Sequence, residues 1–115
     1  MQENNSIKYG NIFNINDDCK KSSEIFEVLI ENKYFKIERI LSFGQGTPEN
    51  EWLSESTDEW VVLLQGESEI LFENNIQCSL KGGDYVFIPS ETKHKVTFTT
   101  ENPPCIWLAV HGKLK

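Results

Sequence analysis

The chain has 115 residues, enough for one compact domain whose core forms without disulfides or a structural metal. Eleven Lys and Arg face eighteen Asp and Glu, and the net charge of −7 argues against nucleic-acid and anionic-membrane surfaces, which both need a positive patch. The three cysteines, Cys19, Cys78 and Cys105, form no CxxC pair and read as free thiols of a reducing compartment. "MQENNSIKYGNIF" lacks the apolar run of a signal peptide, and no stretch reaches the roughly 20 apolar residues of a membrane span. A cytoplasmic protein that touches neither nucleic acid nor membrane is the expectation.

Residues 1–34 read as a polar arm followed by a short helix. Ile7, Tyr9, Ile12, Phe13 and Ile15 are scattered through the arm, with a short strand expected around 11–15. In "KSSEIFEVLIENK", Ser22 and Ser23 suit an N-cap, Glu24 suits a first turn, and Ile25, Phe26, Leu29 and Ile30 fall at helical spacing. The spacing predicts a helix there.

From Tyr34 onward the pattern is that of strands, and residues 35–112 read as one all-β domain. "YFKIERILS" alternates, "EWVVLLQ" is a continuous apolar run, and "ESEILFE" sets Ser68, Ile70 and Phe72 on one face. "IQCSL", "DYVFI", "HKVTFTT" and "CIWLAVH" follow, divided by Gly66, Asn74-Asn75, Gly82-Gly83 and Asn102-Pro103-Pro104. Short strands at regular spacing predict a sandwich or barrel. The long polar segment "FGQGTPENEWLSESTDE" interrupts them, and loops of this length in a small barrel are often functional.

Two stretches resemble the paired motifs of the cupin superfamily. Gly46, Trp52, Ser54, Glu59 and Gly66 stand at the spacing of the first motif, whose pattern is Gly, His-x-His, Glu, Gly. Gly83, Pro89, Glu91, His94 and Phe98 stand at the spacing of the second, whose pattern is Gly, Pro-x-Gly, His, Asn. The resemblance covers roughly residues 35 to 110 and implies a cupin-type β-barrel, a jelly roll, with the arm and helix before it. It also implies a homodimer, with which the outward apolar face of Trp60, Val62 and Leu64 agrees. Cupins that bind a metal use the two histidines and the Glu of the first motif and the histidine of the second. Here Trp52 and Ser54 replace the first two, and Glu59 and His94 remain.

Alternation along the strands turns Glu59, Val61 and Leu63 inward, and likewise His94, Val96 and Phe98, with Lys95, Thr97 and Thr99 outward. A carboxylate and an imidazole in an apolar barrel mouth each need a partner. One reading is a divalent metal, Zn, Mn, Fe or Ni, held by Glu59, His94 and a third ligand such as Glu91, acting on a small polar molecule. A second is a metal-free pocket in which Glu59 and His94 bind or protonate a small organic ligand, with Trp52 at the mouth. A third is a hydrogen-bonded pair inside a non-catalytic dimeric barrel. Trp60 reads as packing on the other face, Trp107 as core, Asp84 as turn chemistry, and His111 as a solvated histidine beyond the last strand.

Overall fold

In the computed structural model, which describes residues 6–19 and 21–115, the strands fall where β-branched and aromatic residues are densest. Eight strands follow in order: β1 Ile25–Glu31, β2 Phe35–Ser42, β3 Asp58–Gln65, β4 Glu67–Phe72, β5 Gln77–Lys81, β6 Tyr85–Ile88, β7 His94–Thr99 and β8 Cys105–Gly112. They form two antiparallel sheets, one of five strands in the order β1-β2-β8-β3-β6 and one of three in the order β5-β4-β7. Residues 1–5 of the expected arm, and Lys20, lie outside the described residues.

The expected helix is a strand. Ile25 to Glu31 pairs antiparallel with β2, from Ile25 opposite Leu41 to Glu31 opposite Lys36. The helical spacing of its apolar residues is matched by a strand reading, because Ile25, Phe26, Val28 and Ile30 are the branched and aromatic types that fit a pleated surface. The unpaired edge of β2 supplies hydrogen bonds that an isolated short helix could not match by tertiary contact. The arm likewise holds a turn, not a strand, at Ile12 and Phe13. Asn11 Oδ1 accepts the Phe13 N–H at 2.8 Å, and Asn11 O accepts the Asn14 N–H at 3.1 Å.

The core lies between the sheets. Val61 and Leu63 of β3, Ile70 of β4, Leu80 of β5, Ile88 of β6 and Trp107 and Ala109 of β8 are all buried there. Each large apolar side chain so placed contributes roughly 1.5–3 kcal/mol. A second, smaller cluster of Leu41, Phe43 and Ile106 sits on the outer face of the larger sheet, and Ile15 and Cys19 of the arm pack over it. Arg39 anchors the arm: its Nε donates to Glu27 Oε1 at 2.5 Å, and its guanidinium also donates to the carbonyls of Ile12, at 3.1 Å, and Asn14.

Alternation on β7 does not run through to its end. Glu69 pairs with Phe98 while Ile70 pairs with Val96, so Thr97 is an extra residue opposite β4. The bulge reverses the faces beyond it. Phe98, expected inside, is 45% exposed, and Thr99, expected outside, is buried and donates to Gln45 O at 2.5 Å. The C-terminal end is tied back by Asp58, whose carboxylate accepts the N–H groups of Leu114 at 2.8 Å and Ser90 at 2.9 Å. Those two bonds hold the Asp58 carboxyl below its ordinary pKa.

Gly66 joins β3 to β4 with φ +95°, and a Cβ there would lie 2.8 Å from both Cys105 Sγ and Thr100 Oγ1. Gly66→Ala therefore meets strain and overlap together. The expected loss is about 2 kcal/mol or more, seen as a lower urea midpoint at unchanged m-value.

Candidate functional site

The inward faces of β2, β3 and β8 change character along their length. Toward one end they carry Ile40, Leu63 and Trp107, and toward the other Glu38, Glu59 and His111. Cross-strand register sets Glu59 opposite His111, Val61 opposite Ala109 and Leu63 opposite Trp107. β6 closes one side with Ile88 opposite Glu59, and the smaller sheet faces them with Ile70, Val96 and His94. The space between is a cavity of about 260 Å³. Glu24, Phe26 and the loop residues Gly46, Thr47, Pro48, Leu53 and Glu55 complete its wall.

His94 is only 4% exposed. Its Nδ1–H donates to Thr92 O at 2.9 Å, which leaves the Nε2 lone pair for the cavity. The backbone beside it is fixed by a two-way bridge with the loop: Leu53 N–H donates to His94 O at 2.7 Å, and His94 N–H donates to Leu53 O at 3.0 Å. Across the cavity, His111 Nε2 and Glu38 Oε1 are 2.8 Å apart, with both side chains nearly buried. Trp107 Nε1–H donates to Ser42 Oγ at 3.1 Å, and Ser42 Oγ–H donates to Glu24 Oε2 at 3.0 Å. Among the described residues, the Glu59 carboxyl and His94 Nε2 make no hydrogen bond to the protein, and because no fully buried side-chain N or O lacks a partner, both open to the cavity.

Burial raises the Glu59 carboxyl above its ordinary pKa, and the charges of His111 and then His94 pull the other way. Folding thus makes ionisation of Glu59 harder than for a free carboxyl.

The structure brings together two of the residues singled out in the sequence, Glu59 and His94. Glu91 is not part of the cavity wall. It is exposed, at φ +62°, with its N–H donated to Glu55 O at 2.7 Å. Trp52 also lies outside the wall, 40% exposed, with the Lys95 ammonium 4.5 Å above its ring. Two residues of the site were missed. His111, expected in solvent, lies within β8 and faces inward, and Glu38 is buried opposite Ala109. The signal for His111 was present: carrying the "CIWLAVH" alternation two residues beyond Ala109 turns it to the side of Trp107. Glu38 sits between Ile37 and Arg39 in "KIERI", where a charge on the inward set marks either an edge or a site.

A family model described as Cupin domain matches residues 39–111. The chain belongs to the cupin family. Among solved structures it resembles a Ralstonia eutropha JMP134 protein whose name proposes mannose-6-phosphate isomerase activity. That likeness has 36% identity, covers 93% of this chain and 99% of that one, and has a TM-score of 0.83. A cupin superfamily protein from Desulfitobacterium hafniense DCB-2 shares 15% identity over 84% of this chain and 83% of its own, with a TM-score of 0.70. The DMSP lyase DddQ from Ruegeria pomeroyi DSS-3 shares 21% over 80% of this chain and 48% of its own, at 0.68. These two show the cupin fold alone. Comparison with curated proteins finds no match.

The donor set does not fit a metal ion of the usual cupin kind. Trp52 and Ser54 offer exposed side chains at two ligand positions, and the His111 nitrogen nearest Glu38 is committed to that carboxylate. Among the described residues, no three His, Cys, Asp or Glu side chains are grouped so as to hold a metal.

The raised Glu59 pKa has a stability consequence. Below the unfolded value of 4.5 the carboxyl is neutral in both states and costs nothing. As pH rises through the higher folded value, the protein must bury a charge and stability falls. Glu59→Gln keeps the shape without the charge. Its melting temperature is expected to match the parent at acid pH and to exceed it at pH values above the folded pKa, as scanning calorimetry across the titration would show.

Proposed function

We propose that this cupin binds a small organic molecule in the cavity between its sheets, and that His94 and Glu59 exchange a proton with it. The observation that carries this reading is a buried imidazole with its Nε2 turned to an open cavity beside a carboxyl without a partner. Polar groups that meet no protein partner where they open to a cavity are free to pair with what enters it. Burial keeps the Glu59 proton exchangeable nearer to neutral pH, where general acid–base chemistry is efficient. His94 Nε2 accepts a proton, and the Glu38–His111 pair fixes the field on the opposite wall.

The sugar-phosphate activity in the name of the Ralstonia protein does not carry over to this cavity. A phosphate dianion is held by Arg, Lys or a cradle of N–H groups. Among the described residues, no Lys or Arg lines this cavity.

The test uses full-length chain purified without chelator, with metal content measured by plasma mass spectrometry and a fragment screen read by NMR at the histidine rings. Substoichiometric metal is expected, together with fragments that shift His94 and His111 signals in a saturable way. Val61→Phe, which fills the cavity, is expected to abolish those shifts, and His94→Gln to weaken them without loss of fold. Near-stoichiometric Zn, Mn, Fe or Ni, lost in His94→Ala and Glu59→Gln, would replace this reading with a metal-dependent one.

We also propose that the protein works in the cytoplasm as a homodimer. Among the described residues, no helix is long and apolar enough to cross a membrane. Ile7 and Tyr9 of the arm are 88% and 94% exposed, and Phe26, Val28 and Ile30 of edge strand β1 are about half exposed. A second copy would cover them. Light scattering behind size exclusion is expected to give twice the chain mass, and Tyr9→Asp with Ile30→Asp to give the monomer.

A further inference from the structure

The hydrogen-bonding sense of the cavity restricts what can occupy it, and the restriction rests on the small-molecule reading above. The side-chain N–H donors of the wall are already spent. Trp107 gives its indole N–H to Ser42, His94 gives Nδ1–H to Thr92 O, and His111 gives Nε2–H to Glu38. The Ser42 hydroxyl proton goes to Glu24. The space is lined by four carboxyl groups, those of Glu24, Glu38, Glu55 and Glu59, with His94 and the Thr47 hydroxyl, whose oxygen takes the Val96 N–H, beside them.

Charge points the same way. Four carboxyl groups line the cavity, and among the described residues no Lys or Arg does. The Lys36 ammonium stands 3.8 Å from Glu38 Oε2 and is 40% exposed, outside the wall. An anion entering here meets four carboxyl groups against two histidines, one of them already paired with Glu38, and its desolvation is poorly repaid. The rest of the wall is apolar, and Phe26 and Trp107 add aromatic surface that tolerates a neighbouring positive charge.

We propose that the ligand is a compact organic cation, a protonated amine on an apolar body, with its ammonium group at the Glu38, Glu59 and His94 end. An ammonium offers donors and no acceptor, the complement of this wall. Its body packs against Ile40, Ile88 and Trp107. The overall charge of −7 draws such a ligand in and keeps anions away.

Three probes of one shape test the class: cyclohexylamine, cyclohexanol and cyclohexanecarboxylate, titrated into the full chain at neutral pH and low salt with the His94 and His111 ring signals as readout. The amine is expected to saturate those shifts at a Kd about tenfold or more below that of the alcohol, and the carboxylate to leave them unmoved. Glu38→Gln is expected to weaken the amine roughly fivefold and spare the alcohol. Alcohol or carboxylate binding as tightly as the amine at the same signals would overturn the cationic class while leaving a ligand cavity. Silence of both histidines with all three probes would overturn the class and the cavity reading together.

Discussion

The cavity depends on one ladder, β8 held between β2 and β3. Its register decides that Trp107, Ala109 and His111 share a face with Leu63, Val61 and Glu59 on one side and with Ile40 and Glu38 on the other. That face is apolar at one end and ionisable at the other, so a single sheet supplies both the packed core and the polar wall. A slip of one residue in β8 would turn His111 to solvent and bring Leu108 and Val110 inside. The apolar end resists such a slip, because Leu63 and Ala109 are fully buried and Trp107 nearly so. The hydrophobic contacts at one end therefore hold the charges at the other.

Holding charges inside has a cost, and the structure meets it unevenly. Glu38 and His111 face each other at 2.8 Å, and Glu24 takes the Ser42 hydroxyl, which in turn takes the Trp107 N–H. Such buried pairs add little net stability over an apolar replacement, while removal of one partner strands the other. Glu59 and His94 Nε2 are left outside this economy. Their exposure to a cavity of about 260 Å³ is the difference between a polar core and a site.

Much of this was legible in the sequence where period-two alternation was strong. "ESEILFE" gave β4 with Ser68 and Ile70 buried, and the spacing of Gly46, Glu59, Gly66, Gly83 and His94 pointed to the cupin barrel and to two residues of the cavity. The failures have physical causes. Ile25 to Glu31 carries apolar residues that satisfy both periods, and only the free edge of β2 decides for a strand. The Thr97 bulge is invisible to alternation, because it depends on how β4 pairs, and it exchanged the faces of Phe98 and Thr99. His111 was lost through a strand end set too early, which hid its pairing with Glu38, a contact between residues far apart in sequence.

The site departs from its family's pattern at the long loop before β3. The first-motif positions Trp52 and Ser54 fall on a loop that lies along β7 as an extra, irregular strand. Thr47 N–H donates to Val96 O at 2.8 Å, and Leu53 bridges His94. The loop sits so close that a Cβ on Gly46 would come within 2.8 Å of Val96 O. Trp52 is left on the outer side under Lys95, and the loop contributes Thr47, Pro48, Leu53 and Glu55 to the wall in place of the motif's histidines. The polar groups that do face the cavity come chiefly from β2, β3, β7 and β8, whose geometry is set by ladders and core packing. Groups held on paired strands reorganise less than groups on loops, which favours a site pre-formed for its ligand.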